Sequence, residues 1–214
     1  MNLDRRVGWR RSGLLPTLAM KILTTFYRRM LVVALSIEEW SAAPEPPAGF
    51  AVRLLGLDDL RAYLRLRPDQ GESVIRARLA LGDRCFGVWR GPDLLHTGWV
   101  ATRSACPVPY LEHEIRLLPG DVHPYDHHTR ADARRLGIAR LRMDAVFEAC
   151  RSEGYRRSVG VVAWENATAI AAARAASYHV LGLVSRARFG RWRRLRVERW
   201  SDEPMPAFVA AGRE

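Results

Sequence analysis

Lysine is almost missing from this 214-residue chain: Lys21 is its only one, so a formal net charge of +11 rests almost wholly on arginine. Usage this one-sided reflects coding bias at least as much as function, and basicity of this kind does not by itself call for nucleic acid; none is expected as a partner. Cysteine is scarce as well. Cys85, Cys106 and Cys150 are far apart and odd in number, which argues against a disulfide framework or a zinc site with paired ligands and fits a reducing cytoplasm. Long apolar runs are absent too. A membrane-spanning helix needs about 20 apolar residues, and Lys21 with Arg28-Arg29 interrupts the best candidate, Leu14 to Phe26. The same charges break up the apolar core of a secretory signal.

What is present is ordinary for a globular protein: 48% hydrophobic and 27% charged residues over a length that suits one domain with an appendage. Leu14, Leu18, Ile22 and Phe26 recur every fourth residue, so residues 1–41 read as a basic amphipathic helical extension followed by a strand near Leu31 to Ile37. That helix either packs on the domain or rests on an anionic membrane surface, at the inner face of the membrane. A proline-rich linker at 42–49 separates it from a domain at 50–200, and 201–214 is a tail.

Within the domain, Phe50 to Leu55 reads as a strand, Asp58 to Arg67 and Glu72 to Leu81 as helices, and Cys85 to Arg90 with Leu94 to Arg103 as a hairpin turning at Gly91-Pro92-Asp93. Val122 to Thr129 is a strand, Gly137 to Glu153 a helix capped by Gly154, and Ser158 to Ala163 a buried strand. Asn166 or Thr168 opens an alanine-rich helix, and strands at Tyr178 to Arg188 and Arg191 to Trp200 close the domain. The most informative stretch is Arg134-Arg135-Leu136-Gly137-Ile138-Ala139, a glycine turn opening a helix, where exposed N–H groups attract a phosphorylated ligand.

From Phe50 to about Trp200 this order resembles the GNAT superfamily of acyl-CoA-dependent N-acyltransferases. Arg134, Gly137 and Ala139 satisfy the family's cofactor loop, Thr129 stands where a strand ends five residues before it, and Asn166 follows the next strand as an asparagine often does in the family. The resemblance implies an α/β (α+β) fold with a mixed, mostly antiparallel sheet flanked by helices. It implies transfer of an acetyl or other acyl group from CoA, the co-substrate, to an amine of a small molecule or peptide by direct attack in a ternary complex, without a metal. The N–H groups of Leu136, Gly137, Ile138 and Ala139, with Arg134 and Arg135, would hold the pyrophosphate. The pantetheine arm would pair along His127, His128 and Thr129, with the thioester between this strand and Ser158 to Trp164.

The chain departs from the family pattern at Ala131, a usual proline, at Ser177-Tyr178, a usual Gly-Phe, and at Ala173, where many members carry the tyrosine that protonates the departing thiolate. Tyr178 or a water is left for that step. For the base, strict alternation puts His123, Tyr125 and His127 on one face of the strand and Asp126 and His128 on the other, which also divides them as metal ligands. His123 is the first choice, His127 the second, and Glu112 or Glu114 through water the third. Two other readings stay open: a GNAT-like binding module without catalysis, and an enzyme using a longer acyl-CoA or an acyl carrier protein. A homodimer through the C-terminal strands is compatible with each.

Overall fold

The computed structural model describes residues 24–42 and 48–210, so most of the expected amphipathic helix and of the proline-rich linker lies outside the described residues. The described chain divides into two compact units: residues 35–106 and 115–160 form the first, and 24–34, 107–114 and 161–210 belong to the second.

The first unit is built on a sheet in which β2 (Ala51–Leu55), β3 (Arg84–Arg90), β4 (Asp93–Ala101) and β7 (Asp121–Thr129) are antiparallel neighbours, while β7 pairs in parallel with the start of β8 (Arg157–Ala163). The β3–β4 hairpin closes through Gly91-Pro92, with Arg90 opposite Asp93 and Gly91 at φ +56°. Glycine at the first of two turn residues matches the twist of the strands. Adjacent residues of β3 serve opposite faces. Trp89 packs with Tyr63 and Leu66 of α1 (Leu60–Leu66) and Ile75 of α2 (Glu72–Ala80), whereas Val88 packs with Ile138 of α3 (Ile138–Ser152). Helices thus cover both sides of a mostly antiparallel sheet.

Helix α3 buries Ile138, Arg142, Val146, Phe147 and Cys150, one stripe at helical spacing. It ends at Gly154 (φ +85°), where Gly154 N–H bonds Arg151 O and Tyr155 N–H bonds Cys150 O, a left-handed glycine cap. The segment 37–42 is tied to α3 by Trp40, whose indole N–H donates to Asp144 at 2.8 Å and whose ring meets Phe147 edge-on. Before α1 the chain makes a 3-10 turn at Leu57–Asp59, and Asp59 caps Gly56 N–H at 3.1 Å rather than the helix.

In the second unit β10 (Trp192–Arg199), β9 (His179–Phe189) and β1 (Tyr27–Ser36) are antiparallel in that order. Residues 27–36, placed by the sequence in the extension, are therefore a ten-residue strand, and Met30 to Leu35 of it are buried. Ile170 of α4 (Ala167–Ala175) packs on Leu31, Val33 and Leu183. Three short strands, β5 (Ala105–Val108), β6 (His113–Arg116) and β11 (Ala207–Ala210), have no counterpart in the sequence reading. They are four residues each, too short to show a period.

Candidate functional site

The site begins where β7 stops being regular. Trp99 pairs with Tyr125 and Thr97 with His128, so Gly98 alone faces two residues, Asp126 and His127, and Asp126 sits at φ +49°. This is a β-bulge, and it overturns the strict alternation expected of His123, Tyr125 and His127. Before the bulge, His123 stacks on Tyr125 at 5.8 Å and Tyr125 on Trp99. At it, Asp126 accepts from Arg67 of the α1–α2 loop at 2.8 Å and Arg78 of α2 at 2.6 Å. Beyond it, His127 has turned to the α3 side, with Nδ1 3.0 Å from Nη2 of Arg142.

The protons on these imidazoles follow from their partners, since a carbonyl only accepts and a guanidinium only donates. His123 lies buried with Nδ1 2.8 Å from Val159 O, so Nδ1 carries the proton and Nε2 is the basic nitrogen. Burial lowers its pKa, keeping it neutral. His127 is the reverse: its Nδ1 accepts from Arg142, which leaves the hydrogen on Nε2. Desolvation of the ring nitrogens and the Arg142 charge hold it well below the usual imidazole range, although the residue as a whole is exposed. Its one basic nitrogen is occupied by a cation. His128 is half-buried and also lowered, by burial and then by Arg67.

Arg142 is the unexpected member, an arginine 1% exposed on the buried stripe of α3. Its Nε donates to His96 Nε2 at 3.0 Å, and His96 Nδ1 lies 2.7 Å from Thr129 Oγ1. A network thus runs from the helix to the strand end. Gly98 makes room for it: a Cβ there would stand 2.5 Å from His127 Nδ1 and 2.7 Å from Arg142 Cζ. A Gly98→Ala variant is therefore expected to lose about 2 kcal/mol in urea unfolding, the range of an overpacked site. Gly56→Ala, whose Cβ meets nothing within 4 Å, should change by under about 0.5 kcal/mol.

Burial, followed by the charge of Arg142, brings the His96 pKa down to about 3. An unfolded histidine would bind its proton near 6.5, so below that pH the unfolded chain holds more protons and stability falls as pH falls. Between pH 6.5 and about pH 5, His96 alone should remove about 2 kcal/mol of unfolding free energy. Denaturant melts at the two pH values measure this, and His96→Gln should flatten the slope.

After Thr129 the chain makes a 3-10 turn at Ala131–Ala133, and Arg134 is extended. Arg135 (φ +65°) and Gly137 (φ +75°) are left-handed on either side of Leu136. Gly137 is the N-cap of α3, and its carbonyl takes the N–H groups of Arg140 and Leu141 at 3.0 and 3.1 Å. The N–H groups of Gly137, Ile138 and Ala139 precede those that intrahelical bonds can use. Ile138 anchors the turn in the core at 2% exposure, while Arg134, Arg135, Leu136 and Ala139 are exposed. The first unit thus brings the expected cofactor residues 127–129 and 134–139 to one strand end and one helix start.

The second unit holds the remaining candidates. Asn166 is the N-cap of α4, and its Oδ1 accepts from Ala169 N–H at 3.0 Å, so the oxygen already has a local role. Tyr178 is half-buried against the Leu31, Val33 and Ile170 cluster, and Ala173 faces the same packing. Glu112, at φ +55°, meets Arg186, Arg188 and Arg193. Partial burial opposes its ionisation, but these arginines hold its carboxyl below the usual range, which makes it a poor base. Glu114 is half-buried.

Three features of the first unit have weak sequence signals. The Asp126 bulge leaves only an aspartate where a left-handed residue is tolerated. Asp83, 2% exposed, accepts both Nε and Nη2 of Arg103 and the phenol of Tyr125 at 2.7 Å. Burial pushes the thiols of Cys85 and Cys150 up to about 12 and about 11, so neither is an activated nucleophile. Among the described residues no three His, Cys, Asp or Glu side chains gather as metal ligands.

No family model and no curated protein matches the sequence. Solved structures do match. A tandem GNAT protein from the clavulanic acid biosynthesis pathway aligns at TM-score 0.53 and 13% identity over 82% of this chain and 60% of its own. A GCN5-related N-acetyltransferase from Sphaerobacter thermophilus aligns at 0.51 and 20% identity over 77% and 53%. A putative GNAT acetyltransferase from Novosphingobium aromaticivorans aligns at 0.51 and 13% over 74% and 62%. The chain spans less than two thirds of the length of each. At such identities a likeness speaks for the backbone, and the backbone speaks clearly: this chain has the GNAT fold.

Proposed function

We propose that this chain is an acyl-CoA-dependent N-acyltransferase that moves an acetyl or other acyl group to an amine by direct attack. The observation that carries the reading is the end of β7, where a bulged strand leads through two left-handed residues into the open N–H groups of α3. The amides of Gly137, Ile138 and Ala139 and the positive end of α3 would hold the CoA pyrophosphate, with Arg134 and Arg135 adding charge. The backbone at His127 to Thr129 would pair with the pantetheine amides, and an N–H there would stabilise the oxyanion.

In the step itself the amine nitrogen bonds to the thioester carbon, its proton passes to Nε2 of His123, and the C–S bond breaks to release CoA as thiolate. The thiolate takes its proton from Tyr178 or a water, because position 173 is alanine. The high thiol pKa values of Cys85 and Cys150 favour direct attack over an acyl-cysteine intermediate.

Ala173 also favours the second reading, a GNAT-like module that binds CoA and does not turn it over. Calorimetric titration with CoA, beside an assay of thiol release from acetyl-CoA with a panel of primary amines, separates the two. Micromolar binding with amine-dependent release supports the enzyme. Binding without release on any amine supports the module, and no binding ends both readings.

A further inference from the structure

The tip of the β9–β10 hairpin is aromatic and exposed. Phe189 and Trp192 are cross-strand partners around the two-residue turn Gly190-Arg191, and Gly190 supplies φ +56°. They are 77% and 55% exposed. Register extends their face: Ala187 pairs with Arg194 on one side and with Tyr27 on the other, so Tyr27, Phe189, Trp192 and Arg194 share one side of the β10-β9-β1 sheet. Tyr27 is 44% exposed, and Phe26, which enters at the same end, 49%. Four large aromatic side chains thus stand exposed at one corner of the second unit among the described residues.

The charge around this corner is mostly positive. Seven arginines lie between residues 186 and 199 against a single acid, Glu198. Arg186, Arg188 and Arg193 converge on Glu112, which takes them to the opposite side of the hairpin. Arg194, on the aromatic side, and Arg191 in the turn are exposed. Exposed aromatic rings flanked by exposed guanidinium groups match the chemistry of a membrane surface, where rings sit at headgroup depth and cations meet lipid phosphate.

We propose that this corner docks the protein on an anionic lipid surface, Phe189 and Trp192 entering the interface while Arg191 and Arg194 bind headgroup phosphates. The sequence just before Tyr27 carries apolar residues Leu14, Leu18, Ile22 and Phe26 with arginines ahead of them, so the mixture of apolar and cationic residues continues along the sequence that leads into the corner. A nucleic-acid strand fits less well, because base stacking needs aromatics spaced along a groove, and here they cluster at a convex turn.

The test is cosedimentation of the full chain with vesicles of phosphatidylcholine, pure or with about a third phosphatidylglycerol, compared with Phe189→Ser/Trp192→Ser and Arg191→Glu/Arg194→Glu. Binding to the anionic vesicles is expected to exceed binding to the neutral ones at least about tenfold, to weaken from low to roughly 0.15 M salt, and to drop at least about tenfold in each double variant. All four side chains are exposed, so circular dichroism should be unchanged, and the charge-reversed variant keeps the apolar tip as a second control. Equal binding by parent and variants overturns the proposal, as does equal binding to both vesicle types. A hairpin-dependent shift of single-stranded RNA without vesicle binding overturns it in favour of nucleic acid. A dimer that the aromatic variant dissociates, without vesicle binding, overturns it in favour of a second copy.

Discussion

A Gly137→Glu variant is expected to bind CoA at least about a hundredfold more weakly than the parent, a loss of about 2.7 kcal/mol. Two causes add. Gly137 sits at φ +75°, where a residue with a Cβ is strained by about 1–2 kcal/mol, so the turn shifts its N–H groups off the phosphate position. The carboxylate then stands at the helix end that should receive an anion, opposing the ligand's charge directly. Calorimetry measures the loss, and thermal melts in the absence of ligand separate it from unfolding, because Gly137 is exposed and its neighbour Ile138 still anchors the turn. Retention of CoA affinity within about threefold would place the cofactor elsewhere and remove the main support for the acyltransferase reading.

The parts of the fold legible from sequence were those with a period or a punctuation mark. β2, the β3–β4 hairpin, β7 ending at Thr129, α3 with its Gly154 cap and the Asn166 start of α4 each combine an apolar repeat with a residue whose backbone chemistry sets the boundary. The small strands β5, β6 and β11 offered neither. Residues 27–36 read as part of an extension because Arg28 and Arg29 look like the end of a basic helix. The apolar run from Leu31 did read as a strand, but its start at Tyr27 and its pairing with β9, more than 140 positions away, are announced by no local pattern.

The site divides along the same line. Its cofactor half is made of backbone, and backbone follows from the glycine and the strand end. Its polar half depends on the Asp126 bulge, which moves His127 across the sheet, and on Arg142, which a helical stripe marks only as one more buried position. Charge in the middle of that stripe was the available signal: Ile138, Arg142 and Val146 are spaced by four, and an arginine between two buried aliphatics asks for acceptors inside the core. His96 and His127 are those acceptors.

His123 is the group on which catalysis should depend most, and replacing it with glutamine is expected to lower kcat about a hundredfold while CoA affinity stays within about twofold. Glutamine keeps a neutral polar side chain at the site and removes the basic Nε2. The pH profile adds a second readout. Burial depresses the His123 pKa below 6.5, so the parent should be fully in its basic form at neutral pH and lose rate only on acidification, a limb that His123→Gln should lack. If kcat instead stays within about threefold, the proton leaves by another route. His127 is a weak candidate for it, with Nδ1 held by Arg142, and Glu112 is held by three arginines, which leaves Glu114 through a water as the next base to remove.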